Sequence, residues 1–172
     1  MNTTIRDLTE RRSIRKYKAE QITKAELEQV LQAGVCAPTG MNRQSPIIVA
    51  VQKAETVKLL SRLNAEVMGS SSDPFYGAPT VLVVLAAAGS PHAVQDGSLV
   101  MGNLMNAAHA IGLGSCWINR AREVFAGEEG KKLLKEWGVE GEYVGVGHCI
   151  LGYADEKPEM KPRKENYVYY VD

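Results

Sequence analysis

The sequence has few cysteines, no long apolar run and no excess of charge of either sign. Its three cysteines, Cys36, Cys116 and Cys149, are widely spaced and form no C-x-x-C pair, so neither a disulfide framework nor a zinc or iron–sulfur site is predicted. No segment reaches the roughly 20 apolar residues that a membrane-spanning helix needs. Twenty basic residues balance twenty acidic ones, which argues against a broad nucleic-acid-binding surface. We therefore expect no metal, no membrane contact and no nucleic-acid partner.

The start of the chain also lacks an apolar segment of the kind found in signal peptides. Together with the low cysteine content, this predicts a cytoplasmic protein with reduced, buried thiols. A chain of 172 residues, 45% of them hydrophobic, is long enough for a sizeable core. No repeat or linker divides it, so residues 1–172 are predicted to form a single domain.

Strands and helices are predicted to alternate along the chain. Thr23 and Glu26 have the spacing of a capping box, which predicts a helix over 23–35, and continuous apolar runs predict buried strands. The segment 69–77, rich in serine, glycine and proline, is predicted to be a mobile loop. The other predicted helices cover 55–67, 91–111 and 122–137, and the predicted strands cover 46–51, 79–88, 115–118 and 144–153. This order predicts one mixed sheet covered by helices.

The predicted helix over 91–111 combines a wide apolar face with small residues. The apolar residues include Leu99, Val100 and Leu104, and the face is too wide for one side of a small core. Gly102 and Ala108 would let a second helix approach closely. We therefore expect this helix to form the interface of a homodimer.

Two segments near the last strand resemble functional motifs, but their spacing and strand geometry argue against both functions. A dinucleotide-binding motif needs G-x-G-x-x-G between a strand and a helix, but the glycine after Gly145-Val146-Gly147 is Gly152, and the residues between are strand formers. His148 and Cys149 are adjacent, but neighbours in a strand point to opposite faces. Neither a Rossmann-type site nor a His–Cys catalytic pair is predicted.

The densest functional signal is a cationic stretch near the N-terminus. Residues 11–16 hold four cations and a serine in a chain without net charge. Arginine presents a planar fork of donors that matches a phosphate group. Taken alone, the stretch fits a solvated helix end equally well. A second basic cluster over 161–164 favours an anion site, because two such clusters in one domain can converge on one dianion.

Two carboxamides precede the first predicted strand. Asn42 and Gln44 lie in a turn that begins with Pro38-Thr39-Gly40. Carboxamides can donate to and accept from the edge of a heterocycle. Capping of the turn is the simpler role for Asn42 when it is considered alone.

Four motifs follow one another along the chain: R-R-S-x-R at 11–15, A-P-T-G-x-N-x-Q at 37–44, G-L-G-S-C-W-I at 112–118, and G-Y followed by K-P-R at 152–163. This ordered set resembles the nitroreductase family of FMN-dependent oxidoreductases over residues 5–163. The resemblance implies an α+β fold, a three-layer sandwich whose mixed, mostly antiparallel sheet is covered by helices. It also implies an intertwined homodimer with a flavin in each interface.

The resemblance further implies which residues bind FMN. The arginine stretch and the C-terminal cluster would hold the phosphate, the ribityl chain and the ring edge. The turn that begins with Pro38-Thr39-Gly40 would come from the partner chain and line the flavin. The G-L-G-S-C-W-I motif would lie near the reactive edge of the flavin ring. These residues are Arg11, Arg12, Ser13, Arg15, Lys161 and Arg163 in the first group, Pro38, Thr39, Gly40 and Asn42 in the second, and Gly114 and Ser115 in the third. Gln44 is also implied to bind FMN.

The implied chemistry needs no catalytic acid or base from the protein, because hydride enters and leaves at the flavin N5. Arg15, and less strongly Arg43, are candidates for the cation near the flavin N1. The implied activity is two-electron transfer from NAD(P)H to a small planar nitroaromatic or quinone acceptor by a ping-pong mechanism. Flavin fragmentation, reductive dehalogenation, flavin binding without turnover and a structural dimer without cofactor are the alternatives.

The chain departs from the family pattern in ways that concern the substrate. Gln44 is followed by Ser45-Pro46 rather than by proline and an aromatic residue, and Gly145-Val146-Gly147 stands where many members have a proline. The extra helical segment of longer members is absent, so only the loop over 69–77 offers a lid. The apolar, alternating tail over 167–171 either adds a strand to the partner's sheet or packs on its own chain.

Overall fold

The framework of the molecule is a four-stranded antiparallel sheet. The computed structural model describes all residues from Met1 to Asp172. Its strands are β1 (Pro46–Val51), β2 (Thr80–Ala87), β3 (Gly114–Ile118) and β4 (Tyr143–Gly152), hydrogen-bonded in the order β1-β2-β4-β3. β2 is nearly all apolar and buried along almost its whole length, because it is a central strand with both faces covered. The predicted strands are confirmed to within one residue at each end.

Six α-helices connect and cover the strands. They are α1 (Thr3–Glu10), α2 (Lys24–Val35), α3 (Ala54–Met68), α4 (Ala93–Ala110), α5 (Ala121–Ala126) and α6 (Glu128–Glu136). The capping box of Thr23 and Glu26 is present at the start of α2. The prediction of one helix over 122–137 is wrong, because Gly127 is extended, with φ −74° and ψ 161°, and separates α5 from α6.

The sheet separates two apolar cores, which gives three layers. On one face, Val81 and Val83 of β2 pack with residues of α3, α5 and α6. On the other face, Leu82 and Val84 pack with residues of α2 and α4. β2 supplies both cores because successive side chains of a strand point to opposite faces. The three-layer α+β sandwich is confirmed.

The segment Gly145-Val146-Gly147 forms a β-bulge instead of a phosphate-binding turn. The register of β2 and β4 shifts between Val84 and Leu85, which leaves Val146 without a partner. Val146 packs on α4 at Gly97, where an added Cβ would lie 2.5 Å from it. This segment therefore serves the packing of α4 on the sheet.

Three smaller features complete the fold. None of the helices is long and apolar enough to cross a membrane. Cys116 and Cys149 are buried, but the prediction of a buried thiol is wrong for Cys36, which is exposed at the C-terminal end of α2. The tail over 167–171 has no secondary structure and does not pack on its own chain, since Tyr170 is 87% exposed. The addition of this tail to a partner's sheet stays a prediction.

Candidate functional site

The N-terminal arginine stretch lies beside the start of β3. The backbone N–H of Ile14 donates to the carbonyl oxygen of Ser115 at 3.0 Å, and Ser13 forms an isolated parallel bridge with Ser115. Gly114 permits this approach, because an added Cβ there would lie 3.0 Å from the Ile14 side chain. Two predicted flavin-binding motifs that are far apart in the sequence are thereby brought together.

The other end of this stretch is fixed to the chain that follows β4. The N–H of Lys18 donates to the carbonyl of Tyr153, and the N–H of Asp155 donates to the carbonyl of Lys16, both at 2.9 Å. The Lys16 Nζ lies 2.8 Å from the Asp155 carboxylate, and this hydrogen-bonded pair lowers the pKa of Asp155 and raises the pKa of Lys16. A backbone held at both ends keeps the intervening cations in place.

Arg11 carries the clearest sign of an anion site. Its Nη1 is buried and makes no hydrogen bond within the chain. An unpaired buried donor is costly, and more so when it is charged, so this nitrogen calls for an acceptor from a ligand. Arg12 differs, because its Nη1 donates to the carbonyls of Thr9 and Arg11 at 2.8 and 2.7 Å. The Arg15 side chain is exposed.

The turn over 38–44 is attached to the first part of α4. The N–H of Gly40 donates to one oxygen of the buried Asp96 carboxylate at 2.8 Å, and Ser45 Oγ donates to the other at 3.4 Å. An added Cβ at Gly40 would lie 2.6 Å from the ring of the exposed His92, so this ring would have to move to admit it. The buried carboxylate therefore fixes the conformation of this turn.

Asn42 and Gln44 are exposed in this turn and have left-handed backbone conformations, with φ 54° and 50°. The N–H of Gln44 donates to Thr39 Oγ1 at 3.0 Å, and Gln44 Nε2 donates to Asn42 Oδ1 at 3.2 Å. Thr39 therefore caps the turn through its hydroxyl, whereas the Asn42 side chain bonds to the Gln44 side chain and not to the backbone. The Nδ2 of Asn42 and the Oε1 of Gln44 stay free for the edge of a heterocycle.

The turn and the arginine stretch contact different parts of α4 within one chain. The turn is bound at Asp96, whereas Ser115 Oγ donates to the Met105 carbonyl at 3.5 Å. At 1.5 Å per residue, these two points are about 13 Å apart along the helix. The two predicted parts of the flavin site therefore contact α4 at separate points. The origin of the turn in the partner chain stays a prediction.

Lys161 and Arg163 lie in the C-terminal segment that follows β4. Both are exposed, and neither makes a hydrogen bond or an ion pair within the chain. The chain after Glu156 forms no helix or strand. Closure of the phosphate site by these cations stays a prediction.

The loop over 69–77 is anchored at its centre. The Asp73 carboxylate accepts hydrogen bonds from the N–H groups of Phe75 at 2.9 Å and Gly77 at 2.7 Å, and the Phe75 side chain is only 1% exposed. The composition did not indicate this anchor. The loop and α3 line a cavity of about 840 Å³ that contains none of the predicted flavin-binding residues. A lid role for the loop stays a prediction.

A buried polar network at the C-terminal end of β3 was missed by the sequence analysis. The fully buried Asn64 donates from Nδ2 to the Asn119 carbonyl at 2.7 Å and lies 3.3 Å from His148 Nδ1. Its Oδ1 accepts from Arg120 Nε at 2.9 Å. Because a carbonyl only accepts and a guanidinium only donates, the carboxamide has one possible orientation. His148 is enclosed in this network, and its Nε2 is buried without a hydrogen-bond partner.

His148 is neutral within this network. Burial lowers the pKa of His148 to about 4, and the charge of Arg120 adds to this lowering. Its ring centroid lies 5.2 Å from that of Phe75 and 6.0 Å from that of Phe125. No spacing in the sequence links Asn64, Arg120 and His148, so only the structure identifies them.

Comparison with known proteins gives one consistent result. The model of the nitroreductase family matches residues 8–74 and 64–153. A candidate NADH dehydrogenase/NAD(P)H nitroreductase from Archaeoglobus fulgidus is 32% identical over 151 residues, which cover 86% of this chain and 83% of that protein. An NADPH-flavin oxidoreductase from Vibrio harveyi is 28% identical over 185 residues, covering 98% and 72%. The structure of a nitroreductase with bound FMN from Bacteroides fragilis is 26% identical, with a TM-score of 0.92 and complete coverage of both chains. The chain belongs to the nitroreductase family.

Proposed function

We propose that this protein transfers two electrons from NAD(P)H to a small planar acceptor of the nitroaromatic or quinone type, by a ping-pong mechanism. The protein is an FMN-dependent NAD(P)H oxidoreductase, in keeping with its family, its NAD(P)H-using relatives and its similarity to an FMN-bound nitroreductase. The acceptor, the order of events and a cytoplasmic location belong to the proposal.

The buried, unpaired Nη1 of Arg11 is the observation that carries the proposal. FMN has a phosphate with about two negative charges, and such a group supplies the acceptor that this nitrogen lacks. Arg11 and Ser13 would hold the phosphate, and Lys161 and Arg163 would approach it from the C-terminal segment. Bound FMN supplies hydride transfer at its N5. The exposed Arg15 would present its cation to the ring.

A homodimer is part of the same proposal. The turn over 38–44 contacts α4 about 13 Å from the point where Ser115 does, so a second chain is the natural source of the turn for each site. α4 also carries Val94 and Leu99, which are 53% and 48% exposed. Asn42 and Gln44 would then act on the flavin of the partner chain.

The presence of a single candidate cofactor site supports the ping-pong order. The chain has one candidate cofactor cradle and no dinucleotide-binding motif, because Gly145-Val146-Gly147 is a bulge. NAD(P)H and the acceptor would therefore occupy the same space in turn. Double-reciprocal plots with a quinone or nitroaromatic acceptor should give parallel lines. Intersecting lines would instead require a ternary complex.

The cofactor assignment is tested by FMN titration of the apoprotein. Removing one charged contact costs roughly 1.5–3 kcal/mol, so Arg11→Ala and Arg163→Ala should each weaken FMN binding about ten- to hundredfold. Arg6→Ala is the matched control, because Arg6 is exposed on α1. Unchanged affinity in both site variants would refute the assignment. Loss of flavin absorbance on anaerobic addition of NADH or NADPH separates the enzyme from a binding module without turnover.

A further inference from the structure

The turn over 38–44 has a strained backbone. Met41, Asn42 and Gln44 have φ values of 55°, 54° and 50°, in the left-handed region that is costly for residues with a side chain. Of these three, only asparagine tolerates the region well, so Met41 and Gln44 need support from their surroundings. Backbone strain persists where contacts enforce it, and it clusters at ligand-binding sites. The contacts that enforce it here therefore identify residues that act on the site indirectly.

Asp96 supplies all the hydrogen bonds between this turn and α4. It is 3% exposed, and a buried carboxylate is costly unless donors satisfy it. Its two donors within the chain are the N–H of Gly40 at 2.8 Å and the Oγ of Ser45 at 3.4 Å. These donors lie on either side of the left-handed residues, so one carboxylate holds both ends of the strained segment.

The other hydrogen bonds of the turn are internal. The N–H of Asn42 donates to the Thr39 carbonyl at 3.0 Å, and the N–H of Arg43 donates to the Gly40 carbonyl at 3.2 Å. The N–H of Gln44 donates to Thr39 Oγ1. These bonds set the shape of the turn but not its position relative to α4, which the contacts with Asp96 fix.

We propose that Asp96 is a positioning residue that holds the turn over 38–44 in its flavin-binding conformation before the cofactor binds. This inference rests on the proposed function, in which Asn42 and Gln44 act on the flavin of the partner chain. Both side chains are exposed on the strained backbone, so their direction depends on the conformation of the turn. A turn that is already in place loses less conformational freedom when a ligand binds, which favours tight binding.

Four variants separate this role from a general loss of stability. Asp96→Ala removes both bonds to the turn, and Ser45→Ala removes the longer one. Asp96→Asn is the conservative variant, because its Oδ1 can still accept from Gly40 and its Nδ2 can donate to Ser45 Oγ. Thr23→Ala is the matched control, because the Thr23 side chain caps α2, and its loss destabilises the protein without removing a bond to the turn.

Hydrogen exchange of the apoprotein tests the support of the turn without the cofactor. The Gly40 amide should be protected in the parent, because it donates to the buried carboxylate. It should exchange about tenfold faster or more in Asp96→Ala, and close to the parent rate in Asp96→Asn and Thr23→Ala. Equal protection in the parent and in Asp96→Ala would show that other contacts hold the turn, and the proposal would be wrong.

FMN titration measures the consequence for the cofactor. Asp96→Ala should weaken FMN binding about ten- to hundredfold, as expected for lost hydrogen bonds to a charged group, and Ser45→Ala should weaken it by less. Asp96→Asn and Thr23→Ala should stay within about threefold of the parent. If Asp96→Ala releases the turn but binds FMN as tightly as the parent, Asp96 does not position the turn for the cofactor.

A double-mutant cycle shows whether Asp96 acts through the turn. In a variant that carries both Asn42→Ala and Gln44→Ala, the side chains that Asp96 positions are gone, so adding Asp96→Ala should weaken FMN binding by less than about threefold. An undiminished loss in this background would leave Asp96 a purely structural role and refute the proposal.

NAD(P)H oxidation is measured separately, so that the two proposals can fail independently. If the parent oxidises neither NADH nor NADPH but the FMN affinities follow the expected pattern, the proposed function fails and the positioning role of Asp96 stands. If the parent is active but Asp96→Ala matches it in FMN affinity, the positioning role fails alone. A parent that binds no FMN would refute both.

Discussion

The pKa of buried His148 makes the stability of the protein depend on pH. The folded-state pKa is about 4, whereas the ordinary value is 6.5, so between these values the unfolded chain binds a proton that the folded chain excludes. Folding stability is therefore complete above about pH 6.5 and falls as the pH drops towards 4. At about 1.36 kcal/mol per pKa unit, His148 accounts for a loss of about 3 kcal/mol at most.

Urea unfolding at pH 7 and pH 4.5 measures this loss. His148→Gln should show a smaller fall in stability between the two pH values than the parent, because glutamine does not titrate. His109→Gln, which changes a half-buried histidine on α4, should retain the fall seen in the parent. An equal fall in the parent and in His148→Gln would show that His148 is not the responsible group.

Individual site residues differ in how well the sequence predicts them. Arg11 and Ser13 could be proposed from the sequence because phosphate binding requires donors, and donors that cluster locally are visible in a sequence. Asn64 and Arg120 could not, because their role depends on a contact between residues 56 positions apart. Asn64 lies within an ordinary helical pattern, and nothing in the sequence indicates that its carboxamide is buried or that Arg120 has a positive φ.

Among the elements, the junction of α5 and α6 has the tightest packing requirement. An added Cβ at Gly130 would lie 2.1 Å from the carbonyl oxygen of Val124 and 2.7 Å from the Cα of Phe125. These are backbone atoms, so the junction has to move to admit it. Gly130→Ala should lower the free energy of unfolding by about 1–3 kcal/mol, as overpacking of a core does.

Thermal unfolding of Gly130→Ala and Gly127→Ala tests this requirement. Gly127 is the control, because its φ is −74° and the nearest atom to an added Cβ there is 3.4 Å away. Gly127→Ala should change the stability by less than Gly130→Ala. A melting temperature of Gly130→Ala equal to that of the parent would mean that the junction relaxes freely.

The elements that the sequence predicts well are those with a buried apolar face. β2 follows directly from a continuous apolar run. The bounds of β1 were predicted correctly, but the prediction that it is buried is wrong, because β1 is an edge strand in which only Val51 is buried. α1 was missed because none of its residues is buried, and its Ile5 and Leu8 are each 49% exposed. The break at Gly127 was also missed, because the apolar residues Phe125 and Leu133 on its two sides belong to the same core, so the pattern looks continuous.

At the scale of the whole molecule, α4 should join two chains. Leu99 is 48% exposed in the middle of this helix, and Leu99→Lys would place a charge in the proposed interface. This variant should be monomeric by light scattering at low micromolar concentration. It should also bind FMN more weakly, because the turn over 38–44 would no longer reach the partner's flavin.

Val67→Lys is the control for this experiment. Val67 is 43% exposed on α3, which packs on the opposite face of the sheet from α4. It should remain a dimer. A flavin-loaded monomer of the parent protein would exclude both the dimer and the role of Asn42 across the interface.

We also propose that residues 1–172 unfold as a single domain, because β2 supplies both cores.

The way in which the arginine stretch is held has a consequence for synthesis on the ribosome. Ile14 is bound to Ser115, and Lys18 is bound to Tyr153. The chain emerges N-terminus first at about 5–20 residues per second, so Arg11 is available long before the residues that fix its surroundings. Until Tyr153 has left the exit tunnel, the arginine stretch lacks the hydrogen bonds that hold its backbone in place. On the proposed cofactor assignment, FMN loading would therefore wait for nearly the whole chain, and newly made protein would pass through an apo state.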